Sequence, residues 1–287
     1  MKNKLMRTAL LAGAAAALAI AAGSASAASL QDLKKSGTIR IAIANEIPYG
    51  FMDMSGNAKG AGPDVAAHIV HQLGIKNIKW VTTNFSSLIP GLQAGRFDMV
   101  AAEMAINPER CQKVIYSEPN SSYGEGLLVQ KGNPDKVHAY SDFAKSGKKV
   151  AIMAGADQLD MMQKLGVPEA NIVTISSNAD AISTVSTGRA AAYAATGLTA
   201  AQLAKKSGKV QLVQDFKDPV VDGKEVRSWG AFTFAKDSKD LRDAVNKQLA
   251  AYKKTAAWKK DIESYGFTDA DVKASNAKTT EQLCSAK

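Results

Sequence analysis

The sequence predicts an α/β protein made of two similar lobes. Strand-like and helix-like segments alternate from residue 38 to residue 103, which is the order of a parallel sheet covered by helices. A second run of the same order occupies residues 148–195. Both runs contain a helix end, then Gly-Arg, then a buried strand, in Leu92–Met99 and in Val185–Ala192. Without its first 27 residues the chain keeps about 260, enough for two lobes with separate cores.

The elements of the first unit each follow from a local pattern. β-branched residues alternate in Thr38–Ala44, which predicts the first strand. Gly60–Pro63 introduces an amphipathic helix over Asp64–Leu73, with apolar residues three to four positions apart. The unit continues with a strand over Asn77–Val81, a helix over Leu88–Gly95 and a buried strand that ends near Met104.

The second unit is predicted from the same signals. Its strands are expected at residues 126–129, 148–153, 171–175 and 190–195, and its helices at 157–165 and 179–187. A strand from Ser228 through Phe234 follows. Helices over Ser238–Thr255 and Ala256–Ser264 then lead into the C-terminal tail.

Residues 1–27 have the pattern of a secretory signal peptide. Three cationic residues precede an apolar segment, Thr8–Ala22, and Ala25–Ala27 is a small-residue cleavage site. The apolar segment is short and rich in alanine, and no later stretch of the sequence approaches a membrane span. We therefore expect an exported protein that begins near Ala28. A lipid anchor is not expected, because no cysteine stands at the cleavage point.

Charge and cysteine content narrow the possible functions. Removing the three cations of the signal peptide lowers the formal net charge from +9 to +6. The remaining lysines are spread along the chain without aromatic or glycine-rich interleaving, which argues against nucleic-acid binding. The two cysteines, Cys111 and Cys284, are an even number in an exported protein and favour a disulfide. Two buried free thiols remain the alternative at this point.

Local rules are broken twice between residues 84 and 111. Glu103 ends the apolar run Met99–Ala102, where a charge is costly. Arg110 follows Asn107 and Pro108 at the start of a predicted helix, where a cation opposes the helix dipole but can bind an anion. Both positions follow the carboxyl end of one strand, a common place for a binding site. In the alternative interpretation Arg110 pairs with Glu109 on the surface and Glu103 points to water.

The candidate site combines one cation with acids and aromatic rings. Glu46 and Tyr49 follow the first predicted strand, Phe85 precedes the helix at residue 88, and Asp157 begins a helix. An arginine suits a carboxylate, whereas aromatic faces and acids suit a delocalised or alkylated cation. We therefore expect a small zwitterion. Core packing is the alternative for both aromatic residues, and helix capping is the alternative for Asp157. Trp229 either lines the cleft or packs at the hinge.

Four sequence features resemble the polar-amino-acid class of periplasmic solute-binding proteins of ABC importers. They are IAIANEIPYGF at residues 41–51, GLQAGRFD at 91–98, NPERC at 107–111, and the terminal YGF at 265–267 with LC at 283–284. Within the class they are most similar to the ectoine- and hydroxyectoine-binding members. The resemblance implies two α/β lobes joined by two crossover hinge strands. Lobe 1 would comprise residues 28–124 and 229–287, and lobe 2 residues 125–228.

The resemblance also implies roles for single residues. Arg110 matches the arginine that grips the ligand carboxylate, while Ala105 replaces the third aromatic of the ectoine cage. Asp157 replaces the usual threonine of the second lobe. Thr196 replaces the aspartate that holds an α-ammonium, which argues against a standard α-amino acid. The implied ligand-binding residues are Glu46, Tyr49, Phe85, Glu103, Met104, Ala105, Arg110, Gly155, Asp157 and Thr196.

The expected function is solute capture for an importer, without catalysis, metal or cofactor. We expect a periplasmic monomer that delivers a small zwitterionic solute to a membrane permease and does not itself insert into the membrane. An enzyme on the same scaffold is one alternative, with Glu46 and Glu103 as acid and base. A module that delivers ligand to a receptor is the other. His68 and His71 share a helix face, a pattern more typical of a solvated face than of a metal site.

Overall fold

The computed structural model describes residues 28–286. The predicted signal peptide, residues 1–27, lies outside the described residues. The helices are α1 (Leu30–Ser36), α2 (Ala61–Gln72), α3 (Leu88–Gln93), α4 (Pro108–Cys111), α5 (Asp142–Ser146), α6 (Gln158–Lys164), α7 (Asn178–Ser186), α8 (Gly197–Lys206), α9 (Lys239–Tyr252), α10 (Ala256–Ser264), α11 (Asp269–Ala274) and α12 (Thr280–Cys284). The strands of the first half are β1 (Thr38–Ile43), β2 (Phe51–Met52), β3 (Ala58–Lys59), β4 (Asn77–Thr82), β5 (Met99–Ala105), β6 (Ile115–Tyr116), β7 (Ser121–Tyr123) and β8 (Glu125–Gln130). Those of the second half are β9 (Val150–Met153), β10 (Ile172–Ile175), β11 (Ala192–Thr196), β12 (Val210–Leu212), β13 (Val220–Val221), β14 (Lys224–Glu225) and β15 (Ser228–Phe234).

Two separate sheets form the centres of two lobes. The first sheet has the order β4-β1-β5-β15-β6, and β7 also pairs with β15. In it β1 runs parallel to β4 and β5, whereas β15 is antiparallel to β5. The second sheet has the order β10-β9-β11-β8-β12, with a parallel core of β10, β9 and β11. This is the predicted two-lobed α/β fold.

The chain passes between the sheets at two places. It leaves the first sheet after β7 and enters the second at β8, so only Gly124 separates the two strands. It returns between β12 and β15 through the small β13–β14 ribbon. The boundaries of the lobes within these connections stay a prediction.

Most predicted elements are present, but their ends differ. Helix α2 begins at Ala61, three residues before the predicted start, because Pro63 is accommodated inside the first turn. The predicted Ser238–Thr255 helix ends at Tyr252. Helices α1, α5, α8, α11 and α12 were not predicted. Among residues 28–286, no helix is long and apolar enough to cross a membrane.

The predicted disulfide is confirmed. Cys111 and Cys284 are bonded, with their Cα atoms 5.7 Å apart. The bond joins α4, which carries Arg110, to the C-terminal helix α12. The tail is therefore tied to the first lobe beside the candidate site.

Glycine at position 62 lets α2 lie directly on β5. A Cβ atom built on Gly62 would stand 2.5 Å from the carbonyl oxygen of Ala101. We expect Gly62→Ala to lower the free energy of unfolding by about 1–3 kcal/mol, because the backbone of β5 cannot yield and overpacking costs this much. The gain of about 1 kcal/mol in helix propensity is smaller than this steric cost.

Urea denaturation of both Gly62→Ala and Gly208→Ala checks this expectation. Gly208 is the matched control, because a Cβ there meets no atom within 4 Å. Its substitution should change the unfolding free energy by less than about 0.5 kcal/mol. Equal stability of the two variants would show that α2 is not in close contact with β5.

Candidate functional site

The cleft between the lobes is closed by hydrogen bonds from both sides. The Tyr49 hydroxyl donates to Thr196 Oγ1 at 2.8 Å, and the Thr199 hydroxyl donates to Glu46 Oε1 at 2.9 Å. Tyr49 and Glu46 follow β1 of the first sheet, whereas both threonines lie at the start of α8 in the second lobe. The carboxyl ends of β1, β5, β9 and β11 therefore meet at the cleft, as is common in open α/β sheets.

A small inner cavity of about 30 Å³ lies at this junction. Its acidic and hydroxyl-bearing lining residues are Glu46, Tyr49, Glu103, Tyr123, Asp157, Tyr193 and Thr196, and its other lining residues include Phe85, Ala105 and Gln158. A cavity of this size has room for about two water molecules. Entry of a solute therefore requires the lobes to separate and close again around it.

Three tyrosines line the inner cavity, and only Tyr49 was predicted from the sequence. All three donate their hydroxyl hydrogen to another group of the protein. Tyr49 donates to Thr196, Tyr123 donates to the Glu103 carbonyl oxygen at 2.7 Å, and Tyr193 donates to Asn178 Oδ1. The rings, rather than the hydroxyl hydrogens, thus remain for a ligand. Tyr193 is the one large side chain in the alanine-rich strand β11, a signal that could have identified it.

Glu46 is buried, with only 7% of its surface exposed. Burial raises its pKa, and the Thr199 hydroxyl bond and the nearby charge of Asp157 act in opposite directions on it. A buried carboxylate of this kind is stabilised when a cation approaches. Glu46 is therefore suited to contact the cationic part of a ligand.

Glu103 is held by the first lobe rather than by solvent. It has a φ of +49° in a strand that is fully buried, at a register shift between β5 and β15. Asn120 Nδ2 donates to its Oε1 at 2.7 Å, and the Ser121 hydroxyl donates to its Oε2. It is 2% exposed, so the alternative in which it points to water is wrong. Burial raises its pKa.

The alternative in which Arg110 pairs with Glu109 on the surface is also wrong. It is 7% exposed, and Glu109 pairs with Lys113 instead. Its Nη1 donates to the Ala105 carbonyl oxygen and its Nη2 to the Gly155 carbonyl oxygen, each at 2.9 Å. The second of these bonds crosses between the lobes. Helix α4 is a single turn of four residues, so its dipole contributes little to this site.

A second, larger cavity lies next to the inner one. The outer cavity, of about 880 Å³, lies between α4 and α6 and is lined by Arg110, Met104 and Gly155 of the predicted set. Phe85 and Asp157 line both cavities. Although Asp157 precedes α6, no capping hydrogen bond to its side chain is found in the described part of the chain, so helix capping does not explain it.

Neighbouring contacts account for the positions of two further residues. Trp229 Nε1 donates to the Ala274 carbonyl oxygen at 2.8 Å and lines neither cavity, so it packs against α11 rather than in the cleft. Thr196 accepts the Tyr49 bond and also caps α8 through the Thr199 N–H at 3.2 Å. Its hydroxyl therefore organises the cleft wall whether or not it contacts a ligand.

The family model for bacterial extracellular solute-binding proteins, family 3, matches residues 39–268. The chain belongs to this family. A probable amino-acid ABC transporter periplasmic-binding protein of Sinorhizobium fredii is 59% identical to this family 3 protein over 274 residues, 95% of this chain and 91% of the relative. The recognition made from the sequence motifs is thereby confirmed.

Solved structures show the same fold. The crystal structure of EhuB in complex with hydroxyectoine has a TM-score of 0.81 and 32% identity, covering 90% of this chain and 98% of that one. The ancestral amino acid-binding protein AncCDT-1, a precursor of cyclohexadienyl dehydratase, has a TM-score of 0.71 and 32% identity, covering 82% and 98%. The two-lobed binding-protein architecture is therefore shown for this chain.

The bonds to Glu103 predict a structural role that can be measured without a ligand. Trp258 Nε1 donates to Asn120 Oδ1 at 2.9 Å, which fixes the Asn120 amide with its NH₂ group toward Glu103. Glu103→Ala leaves this donor without an acceptor, and we expect it to lower the free energy of unfolding by about 1–3 kcal/mol or more. Glu109→Ala is the control, because Glu109 is exposed and surface pairs contribute about 0–1 kcal/mol. Urea denaturation distinguishes the two, and an unchanged unfolding free energy in Glu103→Ala would contradict the structural role.

Proposed function

We propose that this protein is the extracytoplasmic solute-binding component of an ABC importer and that it binds a small zwitterionic solute between its lobes. The observation that carries the proposal is the different lining of two cavities that share Phe85. Acidic and aromatic residues line the inner cavity, and Arg110 lines the outer one. The Arg110 guanidinium stands 5.5 Å from the ring centre.

The inner cavity is suited to the cationic part of the solute. Glu46 and Asp157 supply negative charge, and Tyr49 and Tyr193 supply ring faces. Among residues 28–286, no lysine or arginine lines this cavity. A cation placed here would gain carboxylate and cation–π interactions, of which the latter contribute on the order of 2 kcal/mol when desolvated.

Arg110 is suited to the carboxylate of the same solute. A guanidinium has five N–H donors, and two are bonded to the carbonyl oxygens of Ala105 and Gly155. The remaining donors are enough for a bidentate pair with a carboxylate. Because Arg110 already bonds to both lobes, a carboxylate bound to it would also stabilise the closed cleft.

An ectoine-like compatible solute fits this arrangement of charges and rings best. Another zwitterionic amino-acid derivative would also fit it. The likeness to the hydroxyectoine complex of EhuB supports this choice. Ala105 cannot supply the third ring expected of an ectoine cage, but Tyr123 and Tyr193 add aromatic surface to the same cavity. Thr196, bonded to Tyr49, offers no carboxylate to an α-ammonium.

We further propose that the solute is released unchanged, to a permease in the membrane, by a monomeric protein in the periplasm. The relative in Sinorhizobium fredii is named as such a periplasmic transport component. The AncCDT-1 likeness is to an amino acid-binding protein as well as to the precursor of a dehydratase. Both oxygens of Glu103 already accept hydrogen bonds, which leaves it poorly placed as an acid or base toward a substrate.

A solute screen tests the function. Purified protein is mixed with hydroxyectoine, ectoine, betaines, basic amino acids and opines, and its melting temperature is followed. A bound solute at 100 times its dissociation constant should stabilise the protein by about 2.7 kcal/mol. Magnetic-resonance spectra of the solute after incubation should show no product. A new product would support an enzyme, and the absence of any stabilising zwitterion would contradict the proposal.

The role of Arg110 is tested by calorimetric titration of its variants with the solute identified. Arg110→Ala should weaken binding by about 2–5 kcal/mol, or roughly thirtyfold to several-thousandfold, because the carboxylate loses its charged partner in a closed cleft. Arg110→Lys should recover only part, since an ammonium lacks the planar fork. Arg96→Ala is the control, because Arg96 is an exposed arginine of the first lobe that lines neither cavity, and it should bind almost normally. Unchanged affinity in Arg110→Ala would place the carboxylate elsewhere.

Helix α6 offers a matched pair of aspartates for the cationic end of the solute. Asp157 lines both cavities, whereas Asp160 lines only the outer one, has a side chain that is 61% exposed, and pairs with Lys164. Asp157→Asn should weaken binding by about 1.5–3 kcal/mol, or roughly 10- to 150-fold, through loss of a charged hydrogen-bond acceptor. Asp160→Asn should leave binding within about twofold. Equal affinities in calorimetry would remove Asp157 from the site.

A further inference from the structure

Glu125 is a buried acid that neither the family motifs nor the proposed site includes. It is the first residue of β8, directly after the crossing at Gly124, and it is 5% exposed. Gln158 Nε2 donates to its Oε2 at 2.7 Å, and the Tyr140 hydroxyl lies 3.1 Å from the same oxygen. Its Oε1 has no hydrogen-bond partner within residues 28–286. Glu125 thus stands behind Gln158, which lines the inner cavity.

The single hydroxyl hydrogen of Tyr140 helps to decide whether Glu125 carries a proton. The Tyr140 oxygen lies 3.0 Å from the Ala195 carbonyl oxygen, 3.2 Å from the Gly126 carbonyl oxygen and 3.1 Å from Glu125 Oε2. A phenol has one hydrogen to donate, and carbonyl oxygens only accept. When Tyr140 donates to a carbonyl oxygen, its bond with Glu125 requires a hydrogen on the carboxyl group.

The charges around Glu125 also favour a protonated carboxyl group. Asp157 at the start of α6 and Asp218 in the segment before β13 are the acids that face it, and both oppose a further negative charge. Asp218 also accepts the backbone N–H of Glu125. Arg227 is the cation near Asp218, and it pairs with Asp271. Burial and Asp157 raise the pKa of Glu125 to about 8.

We propose that Glu125 is a positioning residue whose carboxyl group keeps a proton on Oε2 at neutral pH, donates a hydrogen bond to the Tyr140 oxygen, and accepts one from Gln158 Nε2. The Gln158 amide, having donated to Glu125, is left with its carbonyl oxygen as the group that can accept from a solute. The second lobe then contributes the Gln158 carbonyl oxygen to the inner cavity as a hydrogen-bond acceptor. This acceptor adds no negative charge next to Asp157. The effect on a solute rests on the proposed function, whereas the protonation of Glu125 does not.

Infrared spectroscopy tests the protonation without any solute. The difference between native protein and Glu125→Gln at pH 7 should contain the carbonyl band of a protonated carboxyl group, and this band should disappear with a midpoint near pH 8. Glu169→Gln, an exposed glutamate of the second lobe, should give no such band. Absence of the band in the Glu125→Gln difference would overturn the proposal.

Tyr140→Phe gives a second test if Glu125→Gln does not fold. Loss of the phenol oxygen removes the acceptor of the neutral carboxyl group, so the midpoint of the band should move to lower pH. If Tyr140 instead donates to an ionised Glu125, its loss moves the midpoint to higher pH. An upward movement therefore overturns the proposed direction of this hydrogen bond.

The positioning role is tested with the solute found in the screen, or with hydroxyectoine as the first probe. A bound cation lowers the pKa of Glu125, so the affinity of native protein should rise by about threefold to tenfold between pH 7 and pH 9. Glu125→Gln should show no such rise. A rise of equal size in both proteins would overturn the positioning role. If no zwitterion binds at all, the proposed function fails while the infrared result still decides the protonation of Glu125.

Discussion

The free-energy cost of burying a carboxylate shapes this cleft more than any other interaction. Glu46, Glu103 and Glu125 are all buried, and burial raises the pKa of each. Each receives a different compensation. Glu103 accepts bonds from Asn120 and Ser121, Glu46 accepts one from Thr199, and Glu125 is proposed to keep its proton. Glu46 and the half-buried Asp157 are left as the acids that a cationic ligand can satisfy.

Arg110 serves both closure of the lobes and the proposed recognition of the ligand carboxylate. Arg110 binds a carbonyl oxygen from each lobe, so a ligand that bridges to its remaining donors adds to an existing contact between lobes. Gly155 makes this approach possible. It has a φ of +81°, and a Cβ atom there would stand 3.0 Å from Ser86 Cα of the opposite lobe. A side chain at this position would hold the lobes apart.

Prediction from the sequence succeeded where one element carries its own signal. Alternating β-branched residues located β1, and the apolar run before Glu103 located β5. It failed where tertiary packing decides. Helix α8 was missed because its buried face carries Thr199, Ala200 and Leu203, of which only Leu203 is a large apolar residue; Thr196 caps the helix, and it packs on β8 and β12. The ends of α2 and α9 shifted because Pro63 was read as a boundary and the cap at residue 253 was not visible.

The sequence by itself determined the two-lobed α/β class and the family and favoured the disulfide, because periodicity, local motifs and cysteine number can be read without the tertiary structure. It also identified Arg110 and Glu103 as anomalies. Only the tertiary structure decided what these residues contact. Arg110 and Gly155 are 45 positions apart, and Tyr49 and Thr196 are 147 apart. Such pairs meet because the carboxyl ends of strands in the two sheets face each other across the cleft, and no local pattern records which side chains then meet.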